Sequence, residues 1–150
     1  MSSIEVVYVA SPYTGTEQER NQRHREVRTF VAHMLQEGET VISPIVHNHS
    51  LAAIHKLPKD FHFWQNHCIN LLRACDKMYV LMLNGWEESV GVQAEIVEAR
   101  EMEIPIICVD PKNYINQSHY VLPECRERDE ELYGEMDGAA AMNAKVEDLY

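Results

Sequence analysis

The segment GWEESVGVQAEIVEA, Gly85 to Ala99, combines a hydroxyl, a glycine and a carboxylate at helical spacing. Ser89 suits an N-cap, because its hydroxyl can accept from a free backbone N–H of the first turn. Bare N–H groups beside a Ser hydroxyl also suit a phosphate or carboxylate. Gly91 follows inside the helix, where glycine costs roughly 0.5–1 kcal/mol relative to alanine. Close packing, or a ligand near the backbone, would offset that cost. At about 100° per residue, Val92, Ile96 and Ala99 form the buried stripe, and Glu95 lies about 60° off its centre, one turn beyond Gly91. Glu95 is therefore expected to border the core beneath an open space left by Gly91. A carboxylate so placed can serve as nucleophile or base. A solvated helix Glu paired with Arg100 is the plainer alternative, and Glu98 and Glu101 read as surface residues.

Histidines are the next group with chemistry. His47 and His49 form an HxH in an expected loop, where either can hydrogen-bond a ligand, and His62, His67 and Cys68 follow. Their irregular spacing does not make a zinc site, which needs several converging ligands at compact intervals. No metal and no cofactor is expected. Tyr13, in SPYTG, can stack on or bond a ligand, or pack against a sheet edge. Trp86 can wall a planar base or pack beneath its loop.

These residues need elements to hold them. IEVVYVA (Ile4–Ala10), TVISP (Thr40–Pro44), KMYVLML (Lys77–Leu83) and PIICV (Pro105–Val109) read as short apolar strands. Between the first two, Val27, Phe30, Val31, Met34 and Leu35 recur at helical spacing until Gly38. IVHNHSLAAIHKLPKDFHF reads as loop with one helical turn, DFHFWQNHCINLLRACD as a helix, and Ser89–Glu103 as the next. Continuous apolar strands alternating with helices predict an α/β fold with a parallel sheet covered on both faces. In such a sheet, ligands bind beyond the carboxyl ends of the strands. SPYTG, SPIVHNH and NGWEESVG all fall there. Beyond Pro111 the pattern weakens to a short strand and a helix, so residues 1–137 are read as one domain and 138–150 as a tail.

The totals agree with one small domain: 150 residues, 45% hydrophobic, net charge −11. So acidic a chain lacks the electrostatic footprint of a nucleic-acid binder. No apolar run approaches the ~20 residues of a membrane span, and the N-terminus has no basic segment of a signal peptide. Cys68, Cys75, Cys108 and Cys125 make no CxxC pair. Reduced thiols in a cytoplasm are expected, with Cys108 in a core strand.

YVASPY after the first strand, ISP after the second, ACD-x-x-YVL at the third and SVGVQAE opening the next helix together resemble the nucleoside 2-deoxyribosyltransferase superfamily. The resemblance spans roughly residues 4–109 and is most specific in Ser-x-Gly-x-x-x-Glu. It is similar to the branch of 2′-deoxynucleoside 5′-monophosphate N-glycosidases. It implies a flavodoxin-like three-layer sandwich with a four- to five-stranded parallel sheet and cleavage of an N-glycosidic bond. Glu95 would attack C1′, Ser89 and Gly91 would hold the 5′-phosphate, and the turn Ser11–Pro12–Tyr13 would bind the glycosyl group, with Tyr13 near the chemistry. His47, His49, Asp76 and Trp86 complete the expected substrate-binding set. A homodimer or larger homo-oligomer is implied. The sequence departs where that superfamily carries the aspartate linked to protonating the base: Cys68 stands near its place. His67 or water would then take the role, or the chain binds without turnover. A deoxyribosyltransferase, a non-catalytic nucleotide-binding module and an NAD or ADP-ribose glycosidase are the alternative readings.

Overall fold

The computed structural model describes residues 3–115. The expected strand and helix after Pro111, the tail 138–150 and Cys125 lie outside the described residues, apart from one short helical turn at Lys112–Ile115.

Four parallel strands form the sheet: β1 (Val6–Ala10), β2 (Thr40–Ile42), β3 (Lys77–Leu81) and β4 (Ile106–Val109), in the order β2-β1-β3-β4. Val7, Tyr8, Val9 and Ala10 pair in register with Lys77, Met78, Tyr79 and Val80. The connecting helices are α1 (Glu17–Gln36), α2 (Pro44–Ile54), α3 (Phe61–Arg73) and α4 (Val90–Glu101), with α5 (Lys112–Ile115) after β4. This is a flavodoxin-like α/β arrangement, and the chain reverses its winding direction between β1 and β3.

Strand residues alternate between two faces. Val9 and Leu81 face α1, packing with Val27, Phe30, Val31 and Met34. Tyr8, Ala10, Met78 and Val80 face the other way, against Cys68 and Leu72 of α3 and Val92, Ile96 and Ala99 of α4. Burial of these apolar faces holds the three layers together. Leu35, expected in the α1 stripe, is instead 56% exposed. The strand β4 is an edge strand, so Cys108, expected in the core, is exposed and Ile107 is 44% exposed.

The largest difference from expectation is α2. Pro44 reads as a strand breaker, yet it also occupies the first turn of a helix. Proline fits there because its missing N–H would have no intrahelical partner. Ser43 is the N-cap, its hydroxyl accepting from Val46 N at 3.3 Å. The segment expected as loop is thus an 11-residue helix, and the HxH histidines sit on it rather than in a loop. Among the described residues, no helix is long and apolar enough to cross a membrane.

Candidate active site

A cleft opens at the carboxyl edge of the sheet, over the β1/β3 reversal. The strand β1 and its loop contribute Tyr8, Val9, Ser11, Tyr13 and Thr14. The helix α2 contributes Pro44, Ile45, Asn48, His49 and Ala52. Lys59 precedes α3, which adds Phe61, Trp64 and Cys68, and α4 with its cap adds Ser89, Gly91 and Glu95. Four segments far apart in sequence therefore meet at one point, where an open parallel sheet places its ligands.

Glu95 is more deeply set than helix geometry predicts. It is 6% exposed rather than bordering solvent, because α3 packs beside α4 and Tyr8 of β1 comes up beneath it. Burial in this apolar setting pushes its carboxyl up from 4.5 to about 8, and the Tyr8 phenol pulls it part of the way back. The phenol itself is raised well above its ordinary value, by burial first and then by neighbouring Glu95 and Cys68. Tyr8 Oη makes no hydrogen bond of normal geometry among the described residues, so we read its approach to Glu95 as an electrostatic contact rather than a formed bond. Burial, and after it Glu95, pushes the Cys68 thiol up to about 12. Cys68 is therefore a neutral thiol beside the carboxyl, not a nucleophile. Ser11 Oγ, at 6% exposure, also has no partner among the described residues. Buried hydroxyls without partners are uncommon enough in folded proteins to need a reason.

Ser89 caps α4, accepting from Val92 N at 3.3 Å, and it also lines the cleft. Gly91 does not leave open space above Glu95. A Cβ there would meet Phe61 Cδ2 of α3 at 3.0 Å, so the glycine admits the Phe61 ring. Its cost in helix propensity is offset by close packing between α3 and α4.

On the α2 side one histidine lines the cleft, backed by a second from α1. His49, 5% exposed, shares a 2.7 Å hydrogen bond through Nδ1 with the Tyr13 hydroxyl. Its ring lies flat on that of His24 from α1, with centroids 4.0 Å apart and planes at 13°. Burial, with added repulsion from His49, Arg28 and Arg25, lowers His24 to about 3, so its ring is neutral. The Tyr13 loop is held from below. Arg20 binds the Gly15 carbonyl, and Arg23 bridges the carbonyls of Thr14 and Asn84. Gly85, beside Asn84, has φ +87°, and a Cβ there would come within 2.9 Å of Arg23 Nη2. A side chain at Gly85 would disturb this staple between the β1–α1 and β3–α4 loops.

The remaining expected residues lie elsewhere. Pro12 is fully buried and is not part of the cleft wall. His47 is exposed, and its Nδ1 donates to the Ser43 carbonyl at 2.6 Å. Trp86 packs over the Ile96–Ile106 side of the core and lines a separate shallow depression with Arg100 and Cys108. His67 is exposed, with its ring 6.0 Å from that of Trp64, and does not line the cleft. Asp76 sits at the opposite edge of the sheet, where its Oδ2 accepts from Val6 N at 2.7 Å. The strand-opening aspartate thus closes the β1/β3 ladder at its amino end. Glu98, read as a plain surface residue, forms an ion pair with Arg73 of α3 at 2.6 Å.

Sequence reasoning passed over Tyr8, Asn48, Lys59, Phe61 and Trp64. Among the described cleft residues, Lys59 is the one Lys or Arg and Glu95 the one carboxylate. No group of three or more His, Cys, Asp or Glu residues that could hold a metal occurs among the described residues.

A family model for a domain of unknown function, DUF1937, matches residues 5–110, more than two thirds of the chain and every element around the cleft. The chain belongs to the DUF1937 family. A search of curated proteins found no match. The matched span runs from the residue before β1 to the residue after β4, so sheet and cleft together form the family unit.

Proposed function

We propose that this protein cleaves the N-glycosidic bond of a nucleoside or deoxynucleoside 5′-monophosphate, with Glu95 as nucleophile, releasing free base and a pentose 5-phosphate. The observation that carries the reading is the buried Glu95 carboxyl on the cleft side of α4, one turn in from a helix start capped by Ser89. A phosphate at that start would meet backbone N–H groups, the Ser89 hydroxyl and the positive end of α4. Lys59, on the cleft wall, supplies a further positive charge. A sugar held there presents C1′ towards Glu95. Attack by the carboxylate gives a glycosyl ester that water then hydrolyses, dividing one difficult step into two. Phe61 and Trp64 on one side, and Asn48 and His49 on the other, offer an aromatic and polar slot for a planar base.

The raised Glu95 value belongs to this reading. Attack needs the carboxylate, so turnover rises with pH as Glu95 loses its proton towards about 8. The same observation favours a second reading, a nucleotide-binding module without turnover, because a protonated carboxyl binds a sugar hydroxyl but does not attack. Incubation with a panel of nucleosides and their 5′-monophosphates, with chromatography of free base, separates the two. Base release that disappears in Glu95→Gln supports the glycosidase. Nucleotide binding by calorimetry with no base released supports the module. Homo-oligomer formation is part of the same proposal, supported by exposed Val90 and Val97 on α4 (74% and 53%), and light scattering tests it.

A further inference from the structure

The proposed reaction needs a proton donor for the departing base, and the expected one, His67, faces away from the cleft. The structure points to another. We propose that the hydrogen-bonded pair Tyr13–His49 is the acid–base group of the cleft, delivering a proton to the leaving base and recovering it from water. This rests on the glycosidase reading above and deepens it.

Three observations carry the argument. Tyr13 and His49 both line the cleft, on the wall away from α4, so a base lying between them and the sugar would meet the Tyr13 hydroxyl. The 2.7 Å bond joins Oη to Nδ1 directly, so proton movement between them needs no water. His24 packs flat against His49 at 4.0 Å and fixes its ring plane. His24 is kept neutral by burial first and then by His49, Arg28 and Arg25. His49 is the member joined to a cleft hydroxyl, and His24 is a positioning residue. The charged groups around the pair are Arg25 and Arg28 on α1, with Lys59 and Glu95 elsewhere on the lining of the same cleft.

The steps balance. In the first, the Glu95 carboxylate bonds to C1′ as the C1′–N bond breaks and its electron pair stays on the base. That nitrogen takes the Tyr13 hydroxyl proton, and the His49 imidazolium gives its Nδ1 proton to Tyr13. In the second, water attacks C1′, Glu95 leaves as carboxylate, and the water proton returns through Tyr13 to His49. One pair thus acts as acid and then as base.

The test compares two leaving groups. An ordinary purine nucleotide needs its base protonated, whereas its 7-methylated counterpart leaves from a base already cationic and needs no proton. His49→Gln and Tyr13→Phe are each expected to lose roughly 10²–10⁴-fold on the ordinary substrate and to keep activity on the methylated one within a few-fold. Glu95→Gln is expected to lose both. His24→Phe, which preserves a stacking ring, is expected to show a smaller loss confined to the ordinary substrate. Tyr13→Phe removes one hydroxyl from a partly exposed side chain, so it remains informative if His49→Gln fails to fold. Equal losses on both substrates, or none on either, in Tyr13→Phe overturn the inference while leaving Glu95 as nucleophile. No base release by the wild-type protein from either substrate overturns the glycosidase reading itself, and this inference with it.

Discussion

The two edges of the sheet treat a carboxylate in opposite ways. At the amino edge, Asp76 is exposed and hydrogen-bonded, its Oδ2 accepting from Val6 N at 2.7 Å while its own N–H donates to the Val6 carbonyl at 2.8 Å. Lys77 beside it pairs with Glu5. At the carboxyl edge, Glu95 is buried and raised to about 8, and the cleft it lines also holds two buried hydroxyls, Tyr8 Oη and Ser11 Oγ, without partners among the described residues. The amino edge is satisfied and serves the fold. The carboxyl edge carries polar groups whose burial the fold does not repay, which is where binding and chemistry are expected.

Substitutions at the two edges should therefore differ in kind. The largest effect is expected from Glu95→Gln, which should cut base release by roughly 10³-fold or more in a discontinuous assay, since it removes the bond-forming group. The same substitution should raise stability. The folded carboxyl holds its proton to about 8 whereas the ordinary value is 4.5. Folded protein thus binds the extra proton between those values, and wild-type stability falls as pH rises from about 4.5 to about 8. Thermal melts should show Glu95→Gln more stable than wild type by a margin that grows over this window and is flat above it. A margin independent of pH would break the contrast with Asp76. Activity lost and stability gained in one variant would mark a functional site.

Next in size, Asp76→Ala should cost about 1 kcal/mol in chemical denaturation through the lost Val6 bond, with unchanged nucleotide affinity. A change in affinity would move Asp76 back towards the site. Ser89→Ala should cost a similar ~1 kcal/mol as a lost cap. It should also weaken 5′-monophosphates far more than nucleosides in calorimetry, and equal weakening would reduce Ser89 to a cap. The smallest stability effect is expected from Gly91→Ala. Its gain in helix propensity, at most about 1 kcal/mol, is set against a 3.0 Å contact with Phe61. Melting temperature should barely move while ligand affinity falls, because the ring must shift at the cleft wall.

Much of the architecture was legible because short-range rules govern it. Apolar runs such as VVYVA and KMYVL, the stripe Val27–Phe30–Val31–Met34 and the cap at Ser89 report local periodicity and local hydrogen bonding. The start of α2 was also present as Ser43–Pro44, but a proline after an apolar run signals a strand end as readily as a helix start. Gly91 was legible as a position needing an explanation. That the explanation is a ring from α3, thirty positions earlier, was not.

The sequence by itself determined the alternation of strands and helices, and with it the parallel sheet and the edge where Ser11, Tyr13, Ser89 and Glu95 converge. These follow from periodicity and from the geometry of parallel crossovers. Only the tertiary structure decided how those residues are divided. It placed Tyr8 under Glu95, joined Tyr13 to His49 and stacked His49 on His24. It turned His67 and Trp86 away from the cleft and set Asp76 at the far end of the sheet. The reason is physical. Burial and pairing belong to contacts between elements remote in sequence, and one helix's pattern specifies which face it buries, not which side chain of another element will meet that face.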